Sequence, residues 1–184
     1  MTLILWIDYE TTGLVPEENH ILEMAAYLTD RSLEIVDSLE HVYLFHNDEL
    51  RLTFDPIVQD MHTDNGLWNA CKSGRSAIGA EDRVIQMLRD AGAGPREVIL
   101  GGSTINFDRA WMEYWMPNLY NFLDYHNLDV STIKECMKLW RPDIVGISPQ
   151  SSGIHRAGPD IMESINLMKF YRDFVLLRPK ELDQ

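Results

Sequence analysis

The residues from Leu3 to Glu10 constrain the fold most. Leu3-Ile4-Leu5-Trp6-Ile7 is an unbroken apolar, β-rich run, closed by Asp8-Tyr9-Glu10. A run of this kind, broken by Thr11-Thr12-Gly13 with Pro16 close behind, reads as a buried strand. Side chains alternate along a strand, so Asp8 and Glu10 point the same way, behind Ile4 and Trp6 on that face. Two like charges side by side repel each other and are costly to desolvate. A cation between them removes the cost; a solvated strand end is the plain alternative.

The following segments extend the sheet. Ile21 to Thr29 reads as the next strand, although Leu22-Glu23-Met24-Ala25-Ala26 fits a helix equally. Leu33 to Phe45 reads as a third, which gives an antiparallel meander. Pro56 to Gly74 suits short helices and loops. Ser76 to Ala91 has helical spacing, with Ser76 as a cap and Glu81 and Asp82 near its start. Val98-Ile99-Leu100 is a short strand running into Gly101-Gly102. Asn106 to Met116 reads as a helix capped by Asn106 and ended by Pro117. Asn127 to Val130 is a further short strand. Thr132 and Glu135 then form a capping-box pattern for the helix that reaches Trp140. Gly146 to Gly153 is a loop, and the last helix starts near Pro159 with Ile161, Ile165, Met168 and Val175 on one stripe. The expected fold is α/β, a mixed sheet of an antiparallel meander plus parallel strands, flanked by helices. One domain is expected over residues 1–178, with a tail at 179–184.

The 184 residues suffice for one sizeable core, burying roughly 70% of the unfolded surface. With 16 basic and 29 acidic residues the net charge is −13, which argues against a basic patch that gathers nucleic acid by counterion release. It does not exclude a nucleic-acid enzyme, which needs carboxylates if it brings divalent cations to its substrate. No apolar run is long enough for a membrane span, and the N-terminus lacks the basic region of a signal peptide. Cys71 and Cys136 lack metal-knuckle spacing and read as reduced thiols in a cytoplasmic protein.

Two further acids matter by their placement. Asp108 sits in the first turn of the helix after Gly101-Gly102, and Asp160 in the first turn of the last helix. For each alone, favourable helix-dipole charge is an equal explanation. His155 precedes Asp160 by five residues, on a loop with Ser151, Ser152 and Gly153. Together these residues lie at element ends, where α/β sheets build their sites. Oxygen ligands suit Mg²⁺ or Mn²⁺, and four carboxylates with a neutral His fit a two-metal hydrolase. His20, His41 and His46 show no such constellation, and Trp111, Tyr114 and Trp115 have the spacing of packing or dimer contacts.

Asp8-Tyr9-Glu10, Asp108 and His155-Arg156-Ala157-Gly158-Pro159-Asp160 resemble the DEDD exonucleases of the ribonuclease H-like fold, in the variety with a His base. Trp6 to Leu14, Met61-His62-Thr63, Tyr114-Trp115-Met116-Pro117, Leu128 to Glu135 and Trp140-Arg141-Pro142 resemble the oligoribonuclease family in particular. The resemblance spans Leu3 to about Leu176. It implies a metal-dependent 3′-to-5′ exonuclease that reduces short single-stranded RNA to mononucleotides and works as a homodimer. Asp8, Glu10, Asp108 and Asp160 would hold two Mg²⁺ or Mn²⁺ ions, and His155 would take a proton from the attacking water. Leu14 would wedge near the terminal bases, Ser103 and Ser131 would approach the far phosphate, and Tyr125 would reach in from the partner subunit. His62 would contact substrate or position its neighbours. Two departures stand out. Ile57 replaces a family Trp five residues before His62, and His126 replaces a family Arg. A stacking platform and a fixed charge are lost, which loosens the expected preference for dinucleotides and leaves Phe54 as an alternative platform. A DNA-directed exonuclease with the same metal site and a non-catalytic binding module are the competing readings.

Overall fold

A computed structural model describes residues 2–151 and 156–177. Five strands form one mixed sheet in the order β3-β2-β1-β4-β5. Strands β1 (Leu3–Thr11), β2 (Ile21–Asp30) and β3 (Ile35–Tyr43) form the antiparallel meander expected from the sequence. Strands β4 (Val98–Gly102) and β5 (Asn127–Asp129) continue the sheet in parallel on the other side of β1. Between β3 and β4 run α1 (Asp48–Arg51), α2 (Pro56–Asp64), α3 (Leu67–Cys71) and α4 (Ala77–Asp90). Then come α5 (Asn106–Trp115) and α6 (Pro117–Phe122), followed after β5 by α7 (Val130–Trp140), α8 (Pro142–Val145) and α9 (Ala157–Tyr171).

β1 is central because it can be covered on both faces. Its odd residues, Leu3, Leu5, Ile7 and Tyr9, join one core with residues of α4, α5 and α6. Its even residues Ile4 and Trp6 join a second core with Val130 and Met137 of α7 and Ile161, Ile165 and Met168 of α9. The indole N–H of Trp6 donates to Thr29 Oγ1 at 2.9 Å, so the burial of this ring leaves no polar atom stranded. Gly101 makes room for it: a Cβ there would stand 2.9 Å from Ile4 Cγ2 and 3.1 Å from the Trp6 ring. The ambiguous segment around Glu23 is strand, since Leu22 through Leu28 is buried throughout and pairs on both edges.

Two helix starts differ from expectation. Asn106 is the first residue of α5 and caps nothing; the position before it, Ile105, is already helical. The chain turns at Thr104, which takes a left-handed conformation (φ 56°) and donates its N–H to Asp129 Oδ1 at 3.0 Å. The same Asp129 Oδ1 accepts from Ser131 N at 2.9 Å and caps α7, so the helix begins two residues ahead of Thr132. Glu135 pairs with Lys138 at 2.6 Å instead of closing a capping box. The last helix begins at Ala157, which puts Pro159 in its first turn as expected. Ser76 does cap α4, accepting from Gly79 N at 3.1 Å. Residues 178–184, including the proposed tail, lie outside the described residues.

Glu81, buried on α4, acts on another helix. Its carboxylate accepts from Leu119 N at 2.8 Å and Asn118 Nδ2 at 3.0 Å at the start of α6, where the helix dipole favours a negative charge. Glu81→Ala leaves the buried Leu119 N–H without this partner. Hydrogen bonds to charged groups contribute about 1.5–3 kcal/mol, so urea unfolding should show a loss of about 2–3 kcal/mol. A loss under about 0.5 kcal/mol would mean that the anchor is dispensable.

Candidate active site

β4 pairs with β1 only as far as Trp6 and Gly101, while β1 runs on to Thr11 alongside β2. Asp8 and Glu10 stand on this overhang, on the face covered by α9. Asp160, in the first turn of α9, meets them there. One carboxylate oxygen from each of Asp8, Glu10 and Asp160 lies within 4.8 Å of the others. Asp108 arrives from the first turn of α5, and its Oδ1 accepts the backbone N–H of Tyr9 at 3.3 Å. It is also the neighbouring charge that acts most strongly on Asp8. Three of the four acids marked in the sequence are thus gathered, and the fourth is held against the residue between the first two. His155 lies outside the described residues.

The electrostatics follow from crowding in a poorly solvated place. Burial, and then the charges of Asp108, Glu10 and Asp160, push Asp8 well above the usual carboxylate range. Burial pushes Glu10 up to about 7, with Asp160 and Glu23 adding to the rise and Arg156 opposing it. Burial likewise pushes Asp108 up to about 8, although the N–H groups of Asp108 and Tyr9 pull the other way. A metal-free cluster of this kind holds protons near neutrality. The donors are all hard oxygens, a set that suits a divalent cation, and such a cation would take the place of those protons.

A cavity of about 390 Å³ opens from the cluster, lined by Asp8, Asp160, Ser103, Ser131, Lys134 and Gln150 among others. Ser103 Oγ lies 2.8 Å from Ser164 Oγ of α9, and Ser131 Oγ lies 3.1 Å from Thr104 Oγ1. Lys134 escaped notice in the sequence. Its signal was its spacing, three residues after Ser131 on one helix face. Leu14, Ile57 and Tyr125 are not part of this lining and are 80%, 78% and 72% exposed. His62 is buried on α2, its Nε2 3.0 Å from the Thr11 carbonyl at the end of β1. Phe54 does not offer a free stacking face: it is buried against Trp68, ring centroids 5.5 Å apart. His126 is held by Asp124, Nδ1 to Oδ1 2.6 Å. The histidines are also less isolated than their sequence context suggests: His41 pairs with Glu23 at 3.1 Å, and His20 packs against His46 and Trp115.

Comparison with known proteins agrees with this geometry. Residues 5–168 match the RNase T family of exonucleases. Among solved structures, exonuclease I of Methylocaldum szegediense superposes with a TM-score of 0.72 over 96% of this chain and 42% of its own, at 16% identity. Exonuclease I of E. coli, in complex with a 5cy-dT13 oligonucleotide, gives 0.70 over 96% and 42%, at 18% identity. At such identities the likeness establishes the fold, and this chain spans about two-fifths of those proteins' length. Fold and family together define a 3′-to-5′ exonuclease of the ribonuclease H-like class. An oligoribonuclease from Marinobacter nauticus is 38% identical over 172 residues, covering 92% of this chain and 94% of its own. Another, from Cutibacterium acnes, is 34% identical over 179 residues, covering 95% and 87%. The chain belongs to the oligoribonuclease family.

The raised carboxylates make stability depend on pH. Folding lifts their pKa values, so the folded metal-free chain binds protons that the unfolded chain has released. Stability is then fully present below about pH 4, the unfolded range of these acids, and is lost as pH rises through 7 and 8, the folded values of Glu10 and Asp108. Glu10→Gln removes one such group. With EDTA present, its melting midpoint should exceed that of the wild type at pH 8 by roughly 2–4 °C, the shift for about 1 kcal/mol. The two should converge at pH 4. A variant less stable than the wild type at pH 8 would contradict the repulsion.

Proposed function

We propose that this chain is a metal-dependent exoribonuclease that degrades short single-stranded oligoribonucleotides from the 3′ end to nucleoside 5′-monophosphates. The observation that carries the reading is the convergence of Asp8, Glu10 and Asp160 within 4.8 Å, with Asp108 beside them, at the mouth of a cavity. Asp8, Glu10, Asp108 and Asp160 would hold two Mg²⁺ or Mn²⁺ ions. When bound, such ions supply Lewis-acid stabilisation of the attacking and leaving oxygens. His155 takes the proton of the attacking water at one ring nitrogen and must be neutral to do so.

The other assignments belong to the same reading. Ser103 and Ser131 would donate hydroxyls to the phosphate farther from the acids, and their place in the cavity lining supports this. Leu14 would wedge against the terminal bases. His62 would hold the end of β1 in place, in keeping with its contact to Thr11. Tyr125 would serve the site of a second copy in a homodimer. An acidic chain draws long polyanions poorly, which favours short substrates held by local contacts. A cytoplasmic setting accords with two thiols, one of them Cys71, which donates to the Leu22 carbonyl.

DNA is the second reading. What favours it is the loss of the family Trp at Ile57 and of the family Arg at His126, whose ring is engaged by Asp124. Both features grip the ends of a short RNA in the family pattern, and neither is replaced by Phe54.

A hydrolysis assay with Mn²⁺ on di-, penta- and longer oligomers of RNA and DNA separates the readings. The expected order is short RNA first, with no hydrolysis by Asp8→Ala or Asp108→Ala. Retained turnover in both variants at saturating Mn²⁺ would sink the metal assignment, and faster cleavage of long DNA would favour the second reading. His155→Ala should slow turnover by roughly 10²–10⁴-fold with little change in Mn²⁺ affinity.

Stacking gives a separate test. A base stacked on an aromatic ring contributes roughly 1–3 kcal/mol, of which Ile57 recovers only part. Ile57→Trp should tighten dinucleotide binding, measured with Ca²⁺ to suppress turnover, by up to about tenfold, or about 1.4 kcal/mol. Unchanged affinity would place Ile57 away from the substrate.

A further inference from the structure

The site is assembled from two pieces of chain far apart in sequence, β1 and the start of α9, and one ion pair joins them. Glu23 on β2 lies directly opposite Glu10 in the β1–β2 register and is fully buried. Arg156, the residue before α9, meets it with two parallel hydrogen bonds, Nε to Oε2 at 2.8 Å and Nη2 to Oε1 at 2.9 Å. Nη2 also reaches Tyr43 Oη on β3 at 3.1 Å. Burial would raise Glu23, but the hydrogen bonds from Arg156 and His41 hold it below its ordinary value, so it is a carboxylate facing a guanidinium. A planar, two-pronged contact of this kind fixes orientation as well as distance.

What it orients is the first turn of α9. The backbone carbonyl of Arg156 accepts the N–H of Asp160 at 3.1 Å, the opening hydrogen bond of that turn. No side-chain hydrogen bond caps this helix, and the ion pair adds a polar tie at its N-cap to the packing of Ala157 against the sheet. The path from Glu10 to Asp160 is therefore short and stiff: across one strand to Glu23, through the guanidinium to the Arg156 backbone, and up one helical turn. Buried ion pairs add little net stability over well-packed apolar residues, so stability gives this pair little reason to exist.

We propose that Arg156 is a positioning residue for the metal site: paired with Glu23, it sets where Asp160 stands relative to Asp8 and Glu10. The proposal rests on reading the acids as metal ligands. It differs from a role in which Arg156 touches substrate, since Nε and Nη2 of its guanidinium are held by Glu23 and Tyr43.

The test is direct Mn²⁺ binding by calorimetry, alongside turnover of a short RNA, in Arg156→Met, Arg156→Lys and the double variant Glu23→Gln/Arg156→Met. Arg156→Met should weaken Mn²⁺ binding about tenfold. It should lower kcat at saturating Mn²⁺ by about 10- to 100-fold, the scale of a misplacement near 1 Å, with KM changed less than about threefold. Arg156→Lys keeps the charge but loses the two-pronged geometry, and should recover only part of the affinity. The double variant leaves no buried charge unpaired, so it should fold, and it should bind Mn²⁺ no worse than Arg156→Met because the two residues act as one unit. Folded variants with wild-type Mn²⁺ affinity, even if melting earlier, would overturn the proposal, as would additive losses in the double variant. A wild type that binds Mn²⁺ yet hydrolyses no oligonucleotide would overturn the proposed function alone, with the affinity comparison still deciding the role of Arg156.

Discussion

The mutual repulsion of carboxylates in a poorly solvated place governs this structure. Asp8 and Glu10 are forced together because they alternate with residues of a strand buried on both faces, so neither can turn away without dragging apolar side chains into water. Asp160 and Asp108 are then brought up by helices packed on opposite faces of the sheet. The protein answers the repulsion in two ways that cost it little elsewhere. Protons occupy the cluster near neutrality, and the Tyr9 N–H and the Arg156 guanidinium partly offset the negative field. Such an arrangement is poised for a cation rather than built for stability.

The same constraint explains how an acidic chain can serve a polyanionic substrate. With a net charge of −13, the surface as a whole repels nucleic acid. On the proposed function, attraction would be local, through the hydroxyls and amides of the described cavity, with Lys134 as its cation. On that reading, attraction confined to so few groups would not track a long backbone, and discrimination by length would begin with charge.

The parts of this picture that could be read from the sequence are those governed by local period. The apolar run of β1, the alternation that pairs Asp8 with Glu10, and the meander all follow from residue patterns a few positions long. The acids at element ends followed too, and the family resemblance joined pieces that no local pattern could. What escaped depended on partners distant in the chain. Asp129 displaced the expected caps at Asn106 and Thr132 because the parallel pairing of β4 with β5 brings it to both helix starts. Phe54 was legible as an aromatic near Ile57, but not as a residue buried by Trp68. Glu23 looked like one more acid in an ambiguous segment; its meaning appears only when Arg156 folds back over 133 positions to meet it.

The early end of the ladder between β1 and β4 has a further consequence. The mouth of the site is a notch in a sheet, where one strand outruns its neighbour by a few residues, and not a seam between two bodies. The spacing of the strands around a notch is set by the backbone hydrogen-bond ladder, so they cannot part without breaking pairing. Selection among substrates must then fall to side chains on its rim. Leu14, Ile57 and Tyr125 are exposed, each free to be exchanged without disturbing a core. On the proposed function, one reaction centre held by the sheet would be refitted to different oligonucleotides by changes of a few exposed residues.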